Sequence, residues 1–386
     1  MRRVALGELT ERVQTWNPTG EPDREFTYVD LSAVDNVSKT ITGGTLLRGA
    51  DAPSRARQLI SNGDVLVSTV RPNLNSVALV PPTLDGATAS TGFSVLRPNS
   101  ALDGRYLFHW VRSPEFVNDM VRRATGASYP AVSDRIVKSS LIPLPPLPEQ
   151  RRIAAILDRA DMIRAKRHRV LEHLNEAPAA VFRDMFAHED AAGAVSEFAN
   201  NVRTGPFGSQ LRHGEFVDEG IAVLGLDNVV GNEFRWGARR YITPAKYEQL
   251  KRYTVAPGDV LISIMGTTGR CVVVPDGIPR AINTKHICAI SVDRTHLEPT
   301  FLRAAFLWHP LCRTYLARQT KGSIMDGLNM GIIKSMPIPA PALTRQREFA
   351  DRVAELDQCR SAVQAANRLD EKLISSLQSR AFRGEL

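Results

Sequence analysis

Gly63-Asp64-Val65-Leu66-Val67-Ser68 and Gly258-Asp259-Val260-Leu261-Ile262-Ser263 are one six-residue phrase written twice, 195 residues apart. Each opens on a turn-forming Gly-Asp pair and runs on as an apolar, β-branched segment, the pattern of a buried strand. The displacement recurs along the chain. Arg123-Ala124-Thr125-Gly126-Ala127-Ser128 returns as Arg318-Gln319-Thr320-Lys321-Gly322-Ser323, again 195 residues on. Leu141-Ile142-Pro143-Leu144-Pro145, followed by Gln150-Arg151, returns as Pro337-Ile338-Pro339-Ala340-Pro341, followed by Gln346-Arg347, a displacement of 196 from Gln150. Phe182-Arg183 returns as Phe382-Arg383 after 200 residues. One such match arises by chance; four in register mark a tandem duplication.

Each copy reads in the same order. Strands are expected at 64–70, 76–80 and 93–97, and again at 260–264, 271–274 and 286–292. A helix over 105–112 restarts at Ser113-Pro114-Glu115, with Ser as N-cap and Pro in the first turn. In the second copy a helix over 301–308 breaks at His309-Pro310. Proline-punctuated stretches, 142–148 and 337–341, then enforce extended chain and act as stiff junctions. A long helix follows each junction. In the first, Ile153, Ile156, Ala160, Ile163, Val170 and Leu174 form a stripe that Arg167 interrupts, and Pro178 is expected to end the helix. In the second, the stripe runs Val353, Leu356, Val363, Ala366, Leu369, Leu373 and Leu377. Such a stripe is covered either by the helix's own domain or by its repeat copy, and the recurrence in both copies favours the copy. An antiparallel pair of helices with roughly 30 residues each would hold the globular parts some 45 Å apart, at about 1.5 Å per residue. The expected fold is α+β: two mixed α/β domains, 1–147 and 189–342, separated by two long antiparallel helices, 148–188 and 343–386, forming a coiled coil with a pseudo-two-fold internal repeat.

Composition narrows the function. The chain has 386 residues, suiting two or three domains, and an apolar content of 43% that supports buried cores. No stretch approaches the roughly 20 apolar residues of a membrane span, and Met1-Arg2-Arg3 precedes no apolar leader. The four cysteines, Cys271, Cys288, Cys312 and Cys359, are far apart without a C-x-x-C pair, so buried thiols are expected rather than disulfides or zinc. The net charge of +8 suits a polyanionic partner, because each cation that neutralises a phosphate releases counterions. Signatures of catalysis are missing from the sequence: no G-x-x-x-x-G-K-[ST] loop, no H-E-x-x-H, and no Asn-Pro-Pro-Tyr-like tetrapeptide of an amino-methyltransferase. Asp276 with Asn283-Thr284-Lys285 approaches a metal-nuclease pattern, but Asn283 lacks the charge a divalent ion needs. No catalytic and no metal-binding residue is expected.

Several loops carry chemistry suited to DNA. Arg71-Pro72-Asn73-Leu74-Asn75 follows a strand and offers an arginine able to read guanine and two asparagines able to read adenine, Asn73 and Asn75. Its counterpart, Gly266-Thr267-Thr268-Gly269-Arg270, offers Thr267 and Arg270; differing side chains at matching positions fit two readers of different sequences, and equally fit drifting loops. Arg123, Thr125 and Ser128, with Thr320, Lys321 and Ser323, lie where a helix ends in a Gly-containing loop, and suit either phosphate contact or ordinary helix capping. Tyr129 suits a wedge or stack, and also suits core. Thr204, Gly205, Phe207 and Ser209, in Arg203-Thr204-Gly205-Pro206-Phe207-Gly208-Ser209-Gln210, form a loop able to approach phosphate closely or a plain turn. Lys285 is a further candidate DNA contact.

Pro143-Leu144-Pro145-Pro146-Leu147-Pro148-Glu149-Gln150-Arg151-Arg152-Ile153-Ala154-Ala155-Ile156-Leu157-Asp158 strongly resembles specificity subunits of type I restriction-modification systems. Ser379-Arg380-Ala381-Phe382-Arg383-Gly384-Glu385-Leu386 looks like that family's usual ending, and Gly205-Pro206-Phe207-Gly208-Ser209 like the opening loop of its target recognition domains. The order of recognition domain, spacer helix, recognition domain, spacer helix covers the whole chain. Two departures stand out: Ala342-Leu343-Thr344-Arg345 replaces Pro-Glu at the second junction, and Thr15-Trp16-Asn17-Pro18 replaces the Gly-Pro-Phe-Gly loop in the first copy. The resemblance implies a non-catalytic, cytoplasmic subunit, nucleoid-associated when bound to double-stranded DNA, that serves defence against foreign DNA. Each recognition domain would read one half-site, and the helices would set the gap. The chain would hold no cofactor itself; two modification subunits carrying S-adenosylmethionine and two restriction subunits using ATP and Mg would join it. A stand-alone two-armed DNA-binding regulator, a non-DNA scaffold held together by the helix pair, and the targeting subunit of a fused nuclease-methyltransferase system are the alternatives the residues leave open.

Overall fold

The computed structural model describes residues 2–237, 239–320 and 327–386, the Thr320 side chain excepted. The chain forms two compact units, one of Met1–Val170 with Val363–Leu386 and one of Leu171–Ala362. The divisions fall inside the two long helices, Leu147–Phe186 and Leu343–Arg383.

The duplication is visible strand by strand. In the first unit one sheet runs Thr10–Glu11, Phe93–Pro98, Val65–Ser68, Val77–Leu79, and in the second Ala199–Thr204, Ile287–Val292, Val260–Ser263, Cys271–Val273. The other sheet of the first unit runs Thr45–Arg48, Glu25–Val29, Thr88–Ser90, Ala56–Leu59. Its counterpart runs Tyr241–Ile242, Ile221–Leu224, Ala281–Asn283, Thr254–Val255, and in both the central pair is parallel. All residues of Val65–Ser68 and Val260–Ser263 are buried, which explains why this phrase survives in both copies. The acid before each strand is buried too and must be satisfied. Asp64 accepts from the Ser61 amide at 2.8 Å and from Arg97 at 2.7 and 2.9 Å; Asp259 accepts from the Ala256 amide at 2.9 Å and from Arg203 at 2.5 Å.

The proline junctions are locked the same way twice. Gln150 accepts from the Asp103 amide at 2.8 Å and donates to the carbonyls of Ala101 and Pro145 at 3.1 and 2.9 Å. Gln346 accepts from the Glu298 amide at 2.9 Å and donates to those of His296 and Pro341 at 3.0 and 2.7 Å. Both glutamines are buried, so each long helix leaves its domain at a fixed angle.

Each core is then completed by the far end of the other copy's helix. In the first unit Ile153, Ala154 and Leu157 pack with Tyr106, Trp110, Ala381 and Phe382. The Phe382 ring lies 5.3 Å from Tyr106 and 5.0 Å from Trp110. In the second unit Phe349 and Val353 pack with Phe182 and Phe186, whose rings lie 5.5 and 5.9 Å from Phe349. Within the first unit Arg152 donates to the Leu386 carbonyl at 2.8 Å while Arg167, further along, pairs with Asp370, so the two helices run antiparallel there. Within the second, Phe182 meets Phe349 and Arg345 meets Glu189, the same sense.

Two expectations are corrected. The first long helix does not end at Pro178 but passes through it to Phe186. Proline removes one helical hydrogen bond, but the next two turns are anchored by Phe182 and Phe186 in the core, and that burial outweighs the loss. The packing stripes also differ. Ile163 and Val170, expected on the seam, are exposed, and so are Leu369 and Leu373, at 68% and 57%. Residues off the expected stripe are covered instead: Leu157 and Ile374 are buried, Arg164, Leu171, Arg360 and Asp370 are half-buried, and Arg167, the interruption in the stripe, is half-buried and pairs with Asp370. The Arg167–Asp370 ion pair occupies mid-seam positions that an apolar pattern search steps around. Of the other residues expected there, Ile153 and Val353 are buried and Ile156, Leu174, Leu356 and Val363 half-buried.

Cys271, Cys288 and Cys312 are buried free thiols that burial pushes up to about 12, whereas Cys359 is exposed. Among the described residues no helix is long and apolar enough to cross a membrane.

Candidate nucleic-acid interface

Three segments meet at one edge of the first unit: loop 69–76, loop 124–131 and the hairpin of Val34–Asp35 with Thr40–Ile41. The first two are stitched together by backbone. Val70 bridges to Ala131, the Arg71 amide donates to the Pro130 carbonyl at 2.7 Å, and the Val132 amide donates to Thr69 at 2.8 Å. Thr125 and Ala131 exchange backbone bonds at 2.9 Å, closing loop 124–131 on itself. At Gly126, φ is +100° and a Cβ would lie 2.9 Å from the Tyr129 carbonyl, so glycine is needed. Tyr129 is 69% exposed, which excludes the core alternative, and the Arg71 guanidinium lies 4.8 Å from its ring centroid. Asn73, Thr125 and Ser128 are exposed beside it.

Other candidates have structural partners. Asn75 donates through Nδ2 to the Arg112 carbonyl at 3.5 Å, and its own carbonyl accepts from Lys39. Arg123 bonds Asp119 at 3.2 Å and Ser139 at 2.5 Å, as a helix-end cation commonly does.

In the second unit the loops after Ala199–Thr204, Val260–Ser263 and Ala281–Asn283 converge. A Cβ on Gly205 would lie 2.1 Å from the Asn283 carbonyl oxygen and 2.3 Å from the Thr284 carbonyl carbon, so only glycine lets these loops touch. Thr204 is half-buried at the strand end, while Phe207, 48% exposed, Ser209 and Lys285 face solvent. Thr267 is exposed and its carbonyl accepts from Ser263 at 2.6 Å. Arg270 is half-buried, and its Nε, Thr284 Oγ1 and Asn283 Oδ1 are buried without hydrogen-bond partners among the described residues. Burial, then the neighbouring Lys285 and Arg240, lower the His286 imidazole below its usual range. Lys321, Ser323 and the Thr320 side chain lie outside the described residues.

Sequence reading passed over one segment in each copy. In the first unit Asn36, in the hairpin, accepts from Ser76 at 2.5 Å, and the Lys39 ammonium reaches loop 69–76. Burial, with Arg112 and Arg164 nearby, pushes that ammonium down to about 8. In the second unit Asn232 accepts from the Cys271 amide at 3.0 Å, within a segment that also holds the Asp227–Arg240 ion pair and the exposed Trp236. Ser76 precedes Val77–Leu79 and Cys271 opens Cys271–Val273, so in each copy an asparagine holds the start of the same strand, by a hydroxyl in the first and a backbone amide in the second. The two segments share no motif, which is why the repeat search missed them. The Thr15-Trp16-Asn17-Pro18 stretch has a packing role instead: Trp16 bonds Thr88 at 2.9 Å and packs edge-on to Phe26.

Among the described non-glycine residues, those with left-handed backbone are Lys39, Arg71, Asn75 and Asn232, and every one lies in these segments. Such conformations cost about 1–3 kcal/mol each and gather at functional sites. Cations, amides, hydroxyls and an aromatic face on strand-end loops are the chemistry that contacts phosphates and base edges.

The type I restriction modification DNA specificity domain family matches residues 53–174 and 231–371, one stretch in each copy. The chain is similar to the type I restriction enzyme EcoBI specificity subunit of Escherichia coli, 24% identical over 315 residues that cover 73% of this chain and 65% of that one. It is similar to the MjaVIII specificity subunit of Methanocaldococcus jannaschii, 22% identical over 293 residues, covering 70% and 68%. The match thus spans about two thirds of these curated relatives, slightly less for EcoBI. A chain in a structure describing complex assembly and conformational transition of the type I R-M system is 28% identical, with a TM-score of 0.66 over 100% of this chain and 98% of that one. With both of its copies matched, the chain belongs to the type I restriction-modification DNA specificity family.

Proposed function

We propose that this chain is the non-catalytic specificity subunit of a type I restriction-modification complex, reading a split DNA target with one half-site per recognition domain. The observation that carries this is one sheet scaffold built twice, each copy bearing strand-end loops with unlike exposed side chains: Arg71 and Tyr129 in one, Thr267, Phe207 and Lys285 in the other. Two copies of one sheet order with different exposed groups suit two different short sequences. Half-sites about one helical turn apart, roughly 34 Å, would lie on one face of the duplex, and the paired helices set that gap.

The helices also offer a docking surface. Met162, Ile163, Val170, Leu369 and Leu373 are exposed apolar residues on the helical parts of the first unit. Apolar surface of this kind marks a protein partner, here a modification subunit bearing S-adenosylmethionine and the methyl-transfer site. The duplication calls for two such subunits, and restriction subunits using ATP and Mg complete the assembly in the cytoplasm.

The test is methylome sequencing of cells that express the chain with its methyltransferase. One motif of two blocks around a fixed gap is expected, and exchanging residues 190–342 should alter one block only. Affinity should fall steeply with salt, since phosphate contacts release counterions. If both blocks change together, or if binding ignores salt, the assignment is wrong.

A further inference from the structure

The first recognition loop places an arginine where its duplicate places a glycine. Arg71 and Gly266 stand 195 residues apart, directly after the duplicated strands, and both are left-handed, with φ of +49° and +75°. The turn therefore demands this backbone in both copies. Glycine adopts it freely, whereas an L side chain is strained there. The second copy carries the cheap solution and the first does not. Nor does the Arg71 side chain hold the loop together: among the described residues no hydrogen bond or ion pair engages its guanidinium, which is exposed and stacked on Tyr129. The loop is held instead by the Arg71 amide on Pro130 and the bridge from Val70 to Ala131.

We infer that Arg71, laid against Tyr129, is the guanine-reading finger of the first recognition domain, and that the block read by this domain contains a G·C pair. The inference rests on the half-site reading above. With its guanidinium carbon over the Tyr129 ring and, among the described residues, no hydrogen bond to its N–H groups, Arg71 keeps those donors available, and their fork matches guanine O6 and N7 in the major groove. The stack also removes rotamer freedom before DNA arrives, so less is lost on binding. Asn75, the other strained residue of this loop, has its amide tied to Arg112 and is not so placed. Tyr129 is a positioning residue: its ring lies under the guanidinium, and Gly126 allows the turn that places Tyr129.

The test uses the full chain assembled with its modification subunits. Competition binding is measured at fixed salt against duplexes that carry each single base-pair change in the first block. Arg71→Gly installs the residue the duplicate already uses, so the melting temperature should hold or rise. Discrimination should fall roughly 10- to 100-fold at one G·C pair of that block, with its other positions and the second block unchanged. Tyr129→Phe should keep discrimination, and Tyr129→Ala should lose roughly 2- to 30-fold of it. Uniform weakening on every duplex would show a phosphate contact and overturn the inference. So would undiminished discrimination, or a first block without a G·C pair, while the half-site reading stood. If exchanging residues 1–147 altered both blocks, the half-site reading would fall and take this inference with it.

Discussion

Truncating Phe382 to alanine should loosen the first unit and leave the second intact, although the residue lies at the far end of the chain from that unit's sheets. Phe382 is 4% exposed and meets both Tyr106 and Trp110, at 5.3 and 5.0 Å. Removing a buried phenylalanine ring costs about 3–5 kcal/mol through lost transfer energy and the cavity left behind. Two aromatic contacts go with it, at about 0.5–1.5 kcal/mol each beyond area. Taking about 4 kcal/mol, the opening equilibrium of the first unit should shift roughly 1,000-fold. Hydrogen exchange resolved by peptide reads this directly in the full chain. Helix Gly104–Val111 and strand Leu141–Pro143 should exchange faster by that factor, while Val260–Ser263 and Pro299–Trp308 keep wild-type rates. Phe182→Ala, the duplicate position, should show the converse, since Phe182 packs against Phe301 and Phe349. Equal acceleration in both units, or less than about tenfold in the first, would refute the reasoning that each core is closed by the other copy's helix.

Asp370→Leu alone should destabilise the first unit by about 1 kcal/mol or more, because it strands Arg167 on the helix seam, whereas Arg167→Leu with Asp370→Leu should be neutral or stabilising; urea midpoints of the three proteins decide this. Lys39 has a folded value near 8 against an ordinary 10.5, so the fold holds that proton less tightly than the unfolded chain does. Its unfavourable contribution is fully present below pH 8 and fades as pH rises toward 10.5, so Lys39→Met should stabilise the protein more at pH 7 than at pH 10. A benefit that grows with pH would contradict the burial of the ammonium. Gly205→Ala must push backbone atoms apart and should cost about 1–3 kcal/mol together with recognition of the second block. Gly208→Ala, which meets open space at φ +58°, should cost only about 1 kcal/mol, read by thermal denaturation.

The fold class was legible in the sequence because its signals are buried ones. The phrases around Asp64 and Asp259 recur because each acid takes the amide three residues before it, with an arginine from a different strand in each copy, and Gln150 and Gln346 recur because both are bonded the same way. What misled were residues whose roles depend on a neighbour that pattern cannot supply. Pro178 reads as a helix stop until Phe182 and Phe186 are seen holding the next turns. Leu369 and Leu373 look like seam residues until Asp370 is seen paired across it with Arg167. At the candidate interface, Arg71 and Tyr129 were each visible, but their stacking depends on loops 69–76 and 124–131 being pinned side by side, a contact across sequence that periodicity does not encode. Asn36 and Asn232 perform the same task in segments with no residue pattern in common, and only the strands they grip reveal the equivalence.

The way Ala381 and Phe382 close the first core has a consequence for biosynthesis. Residues 171–362, the second unit, are translated between the two pieces of the first. At about 5–20 residues per second, the earlier piece waits roughly 10–40 s on the ribosome before its missing packing partner is made. The second unit, being contiguous, can mature sooner. A nascent chain can therefore complete the core of its second unit before that of its first, and a chain that stops short of Ala381 would leave the first core open.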